Sequence, residues 1–242
     1  MRLLKAIFVL FFLFAATLVA GAQTISVDHF NKVIISPYVQ VVFERGESES
    51  VTVHELLVDS SKLHVEVNGG TLRIYLEGAK DIPYYKKSYD KNDLYPNHAV
   101  VATVTYRSLK TLSLRGEETH HCQSPLSANK FSLRVYGAST VVFTEMHVRK
   151  LHAVIYGTSS LEIQSGKVDE QHFTCYGEGK INTTAIAGRM GKITSFGEAE
   201  FRMNISDRIK ITAFGDAKLR YKGNPAIVKG IHIGDVDLAR ID

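Results

Sequence analysis

Five aromatic residues recur at nearly constant spacing: Tyr136, Tyr156, Tyr176, Phe196 and Phe214. Four residues ahead of the last four runs a second series, His152, His172, Lys192 and Lys210, and between the two stand Val154, Thr174, Thr194 and Thr212. Aromatic rings flanked by hydrogen-bond donors are the side chains that hold sugar rings or a protein surface, so these two series form the first candidate binding surface. A plainer role is structural. Stacked rings stabilise a fold by about 0.5–1.5 kcal/mol per pair, and the Tyr-rich segment 81–98 could cover them.

A third series is acidic: Glu178, Glu198, Asp216 and Asp235. Clustered carboxylates suit a hard cation such as Ca²⁺. The glycine-rich nonapeptide of Ca²⁺-binding solenoids is missing. Two positions on, Lys180, Glu200, Lys218 and Asp237 alternate in sign, which reads as a solvated ladder of opposite charges. No metal or other cofactor is expected.

His120-His121-Cys122, with Glu117 and Glu118 beside it, has no second ligand pair at zinc spacing and reads as a polar turn. No nucleophile elbow, metalloprotease helix, P-loop or dinucleotide fingerprint occurs, so no catalytic residue is assigned. Asn182-Thr183-Thr184 and Asn204-Ile205-Ser206 match a glycosylation sequon, a short pattern that chance also supplies. No basic cluster accompanies a nucleic-acid module.

These series imply the element that positions them. A glycine recurs at 116, 137, 157, 177, 197, 215 and 234, with spacings of 18 to 21 residues. Counted from it, the even offsets are apolar or small. Two before stand Val135, Ile155, Cys175, Ser195 and Ala213; four after stand Val141, Leu161, Ile181, Phe201, Leu219 and Leu238. Side chains alternate across a strand, so the even offsets face inward and the odd ones outward. One such unit cannot bury its inner face alone, whereas stacked units bury a continuous core. The expected fold is all-β: a right-handed parallel β-helix of about twenty-residue rungs, capped by an N-terminal β-rich segment. The recurring glycine marks a shared corner.

The chain ahead of the repeat also alternates, as in Val39, Val41, Phe43 and in Leu63–Leu76, where Asn68-Gly69-Gly70 signals a hairpin. Segment 81–98, bounded by Pro83 and Pro96, reads as a loop insertion. Arg2 and Lys5, an apolar run from Ile7 to Val19 and Ala20-Gly21-Ala22 read as a cleaved signal peptide at 1–22. Removing it takes two basic residues and lowers the formal charge from +4 to +2. The mature chain carries no expected transmembrane segment and forms one domain, 23–242: N-terminal strands and the insertion over 23–110, regular rungs over 111–242. Cys122 and Cys175 fall about three rungs apart, too far for a disulfide at ~4.8 Å per rung, so both are read as separate thiols.

The run Gly-Asp-Ala-Lys-Leu-Arg-Tyr-Lys-Gly-Asn-Pro at 215–225, the closing Gly-Asp-Val at 234–236, the Gly-x-small-x-apolar units and the opening Phe30-Asn31-Lys32-Val33 resemble one bacterial family. It is the auto-transporter adhesin, head GIN domain family, and the resemblance spans about 26 to 240. Its most specific piece is Tyr221-x-Gly223-Asn224-Pro225. The resemblance implies a β-solenoid in the envelope of Gram-negative bacteria, commonly Bacteroidetes, with no established biochemical activity. The sequence departs from the family's Ser-Gly-x-Gly rungs: Tyr or Phe replaces the Ser, and only Gly177-Glu178-Gly179 keeps both glycines. With its end at Asp242, the sequence leaves no room for a membrane-spanning barrel. The expected function is that of a non-enzymatic exported module, in the periplasm or on the cell surface, binding glycan or an envelope protein. A polysaccharide-acting β-helix enzyme and a structural or assembly spacer are the other readings.

Overall fold

A computed structural model describes residues 22–80 and 94–242 of the chain. Nearly all of the leader reading at 1–22, and the 81–93 part of the insertion, lie outside the described residues. Among those described, the only helical turn is a 3-10 turn at Ser60–Lys62, and nineteen strands join into one continuous sheet. The fold is a β-solenoid.

The regular rungs follow from the alternation. Each begins with a long strand, passes a glycine corner and continues as a second strand. They are β8 (Thr111–Gly116) with β9 (Thr119–Cys122), β10 (Leu126–Gly137) with β11 (Thr140–Phe143), and β12 (Met146–Gly157) with β13 (Ser160–Ile163). Below them β14 (Gly166–Gly177) leads into β15 (Lys180–Phe196), β15 into β16 (Ala199–Phe214), and β16 into β17 (Ala217–Lys222). The last rung is β18 (Ala226–Ile233) with β19 (Val236–Arg240). All of these pair in parallel, with register shifts only within β15–β16 and β16–β18, and Leu133, Ala153, Phe173, Ile193 and Ile211 share one column. The predicted inward columns are buried through Ala213 and Leu219, while Val236 and Leu238 of the last rung are half-buried.

The corner needs glycine for two separate reasons. At all seven positions φ is positive, between 91° and 122°, a region that L-residues with a Cβ rarely adopt. A Cβ on Gly177 would also sit 2.7 Å from the carbonyl oxygen of Gly157, one rung above, and every corner from Gly137 onward repeats the arrangement. That carbonyl already accepts the N–H of the residue after the lower glycine, as in Glu178 N to Gly157 O at 3.0 Å. Two positions further, Ser139 and Ser159 are buried and donate their hydroxyls to Gly116 O and Gly137 O at 2.9 and 3.0 Å. From Ser139 to Ala217 this inward column holds only Ser, Gly or Ala, whereas the two end rungs carry Glu118 and Val236 in it.

The N-terminal part continues the stack but does not follow chain order. β2 (Lys32–Ile35) and β3 (Val39–Arg45) lie parallel on β8 and β9, and β6 (Thr71–Leu76) and β7 (Val100–Tyr106) lie parallel on β2 and β3. β5 (Leu63–Asn68) then folds antiparallel onto β6, β4 (Ser50–Leu56) antiparallel onto β7, and β1 (Gln23–Ser26) antiparallel onto β4. The hairpin forms where the sequence signals it, with Gly69 and Gly70 at φ 55° and 70°.

Cys122 and Cys175 are both buried free thiols. His120-His121-Cys122 is not a polar turn but the strand β9, with His120 and Cys122 turned inward and His121 outward. The repeat register explains the difference. His120 lies four after Gly116 and therefore belongs to the inward column occupied one rung below by Val141.

Candidate functional site

The aromatic series forms a ladder along the solenoid. Successive ring centroids from Tyr136 to Phe214 are 4.8, 4.8, 4.8 and 5.1 Å apart, and the planes are tilted by only 3–6°. In-register parallel pairing produces this, because each ring sits one strand spacing above the next. Each ring therefore spends its faces on its neighbours and presents an edge outward. Tyr176 is 38% exposed, and Tyr136, Phe196 and Phe214 are half-buried. The guanidinium of Arg115 closes the upper end, 5.9 Å from the centroid of Tyr136. Below Phe214 the column continues in Ile233, which is 67% exposed.

His152, His172, Lys192 and Lys210 share one outward column in register, as do Val154, Thr174, Thr194 and Thr212. The structure thus brings the predicted binding residues together on one flat face. Its electrostatics are cationic. Partial burial holds the imidazoles of His152 and His172 below their ordinary range, with Lys150 and Lys192 adding to the effect on both. Glu170 is the local counter-charge: it meets Lys150 at 3.1 Å and Arg149 at 2.9 Å, and hydrogen bonding from Lys150 keeps its carboxyl low. Lys192 and Lys210 are exposed and have no ion-pair partner among the described residues.

The acidic series stands elsewhere. Glu178, Glu198, Asp216 and Asp235 occupy the exposed corner just after each glycine, and Asp216 accepts the backbone N–H of Asp235 at 3.0 Å. Among the described residues no group of three or more His, Cys, Asp or Glu side chains is placed to hold a metal. The neighbouring series pairs Lys180, Glu200, Lys218 and Asp237 in register. Its close ion pairs, however, run to arginines: Arg202 to Glu200 at 2.7 Å and Arg220 to Asp237 at 2.6 Å.

Two buried polar residues mark the junction between the regular rungs and the part above them, and sequence reasoning missed both. Glu118 takes the small inward place filled by Ser139 one rung below. Its carboxylate accepts the N–H of Tyr38 at 2.7 Å and of Glu117 at 2.9 Å. Tyr38 is a non-glycine residue at φ 68°, so the carboxylate fastens a corner that has no glycine of its own. Burial pushes the Glu118 carboxyl up against the pull of these N–H groups. His120 is fully enclosed, both ring nitrogens lack a partner, and burial drives its pKa down to about 3. Extending the glycine register one rung back would have found both.

The sequence pattern of the family described as "Putative auto-transporter adhesin, head GIN domain" matches residues 29–225. This chain belongs to that family. The match ends at the Tyr221-x-Gly223-Asn224-Pro225 segment, where Gly223 takes φ 89° and a Cβ would collide with Ile205 O.

Solved structures share the head GIN architecture. A putative adhesin from Bacteroides fragilis superposes with a TM-score of 0.76 at 18% identity, over 91% of this chain and 96% of that one. A putative adhesin from Parabacteroides merdae gives 0.65 at 21% identity, over 90% and 95%. A protein from Parabacteroides distasonis, called a putative lipid binding protein, gives 0.67 at 19% identity, over 92% and 96%. At these identities the likeness shows the fold. A search of curated protein sequences found no match.

Proposed function

We propose that this head GIN protein is a non-enzymatic module, exported to the envelope or cell surface, that binds a glycan or protein through the flat outer face of β12, β14, β15 and β16. The observation that carries this reading is the exposed, unpaired pair Lys192 and Lys210, held in register beside Thr194 and Thr212 and the ring ladder. The parallel sheet fixes the points from which the two lysines leave the backbone, and because neither is tied up in an ion pair, a ligand need not displace a counter-charge to reach them. The stacking of the ladder shapes the contact: a ligand meets ring edges, threonine hydroxyls and ammonium groups rather than open ring faces. The membership in an adhesin family supports the surface role. The leader-like 1–22 sequence supports export. The name of the P. distasonis neighbour raises lipid as a ligand. Here the interior is filled by side chains such as Ile155, Phe173 and Phe201, so lipid would have to bind outside.

The test is a screen of the exported chain against a glycan array, envelope extract and phospholipid vesicles. It is run beside Lys192→Gln/Lys210→Gln and Tyr176→Ser/Phe196→Ser variants. The reading predicts glycan or protein binding that drops at least tenfold in both variants while their β-sheet circular dichroism is kept. Binding unchanged in both, or absent from every arm, would sink it. Vesicle binding alone would replace it with the lipid reading.

A further inference from the structure

The part of the molecule above β8 and β9 carries a second charged surface that the ladder face does not use. β3 and β7 run parallel with Arg45 paired to Tyr106, and the Gly46 N–H donates to Tyr106 O at 3.0 Å. Arg45 and Arg107 therefore leave neighbouring rungs at almost the same level. With His29, Gly46, Glu47 and Ser108 they line an open cleft of about 700 Å³. Gly46 packs closely on the neighbouring rung, where a Cβ would meet the Thr105 methyl at 2.5 Å.

The chemistry of the cleft is specific. Arg45 and Arg107 are both exposed, and neither has a carboxylate within ion-pair range among the described residues. Two guanidinium groups one rung apart make a fork for a single oxyanion. His29 is anchored through Nδ1, 2.7 Å from Glu49 Oε1, which leaves Nε2 as the atom that meets a ligand. Glu47 is the one carboxylate on the rim. It repels a second negative charge and accepts hydrogen bonds from hydroxyls. A ligand satisfying the whole lining carries one oxyanion and adjacent hydroxyl donors, and the volume lies in the range of small-ligand sites.

We propose that this cleft is a binding site for an acidic sugar unit, its carboxylate on Arg45 and Arg107 and its hydroxyls on Glu47. The site stands on different strands from the ladder face, and its failure would leave the ladder reading untouched.

The test uses the exported chain with three probes: glucuronate, glucose and inorganic phosphate, each titrated by calorimetry at low salt. Glucuronate is expected to bind saturably and glucose not at all. Arg45→Gln/Arg107→Gln is expected to weaken glucuronate at least tenfold, whereas Lys192→Gln/Lys210→Gln leaves it unchanged. Glu47→Gln separates sugar from bare anion: it should weaken glucuronate while strengthening phosphate. All substituted side chains are exposed, so folding should survive, and an unchanged melting curve checks it. No saturable glucuronate binding, or equal binding by the Arg45→Gln/Arg107→Gln variant, overturns the proposal. Phosphate binding as tightly as glucuronate, with both strengthened by Glu47→Gln, overturns the sugar assignment in favour of a simple anion site.

Discussion

The regular rungs and the N-terminal part solve the same packing problem with different corner chemistry. From β10 to β16 every corner is a glycine at positive φ on which a Cβ would collide with the carbonyl of the corner above, and the carbonyls of Gly116, Gly137 and Gly157 also receive the next rung's N–H. Above them the β2–β3 corner holds Ser36, Pro37 and Tyr38, and Glu118 reaches up to secure it. The regular part repeats one local solution, so each rung depends only on its neighbours. The upper part relies on single long-range contacts between buried polar groups, whose stability depends on protonation.

Acid should break that contrast most strongly. The pKa of His120 is driven from 6.5 to about 3 by burial, so the unfolded chain binds a proton in this window that the folded chain refuses. The stabilising effect is complete above ~6.5 and is lost as pH falls toward ~3, on the order of 4–5 kcal/mol. Glu118, with a raised pKa, acts in the opposite sense, and His152 and His172 act in the same sense as His120. Hydrogen exchange at pH 4 is expected to rise across β2, β8 and β9 before β12–β16, and His120→Val should flatten the fall in stability with acid. Uniform exchange along the solenoid, or an unchanged pH profile in the variant, would remove the distinction.

Backbone substitution should sharpen it from the other side. Gly177→Ala places a Cβ at φ 116° and 2.7 Å from Gly157 O, and is expected to cost about 3–4 kcal/mol in denaturant unfolding. Gly69→Ala, at φ 55° with nothing within 4 Å, should cost only about 1–2 kcal/mol. Equal losses would mean that stacking on the neighbouring rung adds nothing to the demand for glycine.

The smallest effect tests the ladder as structure. Tyr176 stacks on two rings and Phe214 on one. Tyr176→Leu should therefore lose about 1–3 kcal/mol of stacking and Phe214→Leu about 0.5–1.5 kcal/mol. A ratio near one in thermal melts would indicate that the rings act by area alone.

The same contrast governs how much the sequence discloses. The glycine register and its parity set the inward columns of β10–β17, the outward Tyr and Lys ladders and the separation of the two thiols. All of these follow from one period and one alternation. The antiparallel cover was readable only at Asn68-Gly69-Gly70, where the turn is local. That β6 and β7 lie outside β2 and β3 leaves no trace in periodicity, because spatial order there departs from chain order. His120 was misplaced because its polarity was weighed ahead of its register. The charged cleft was invisible for a further reason: His29, Arg45 and Arg107 are far apart in sequence and meet only where two rungs end. The ring ladder was visible as a column, but whether its faces or edges point outward depends on side-chain torsion, which spacing does not encode.

The carbonyl stacked above each corner makes a single glycine hard to replace and a whole rung easy to gain or lose. An inserted rung meets the same carbonyl above it and offers the same one below. Lineages of such chains can therefore change length by duplicating or deleting one unit of about twenty residues, moving the far end by ~4.8 Å each time. Reach becomes a quantity inherited in whole steps, adjustable without redesigning the cap.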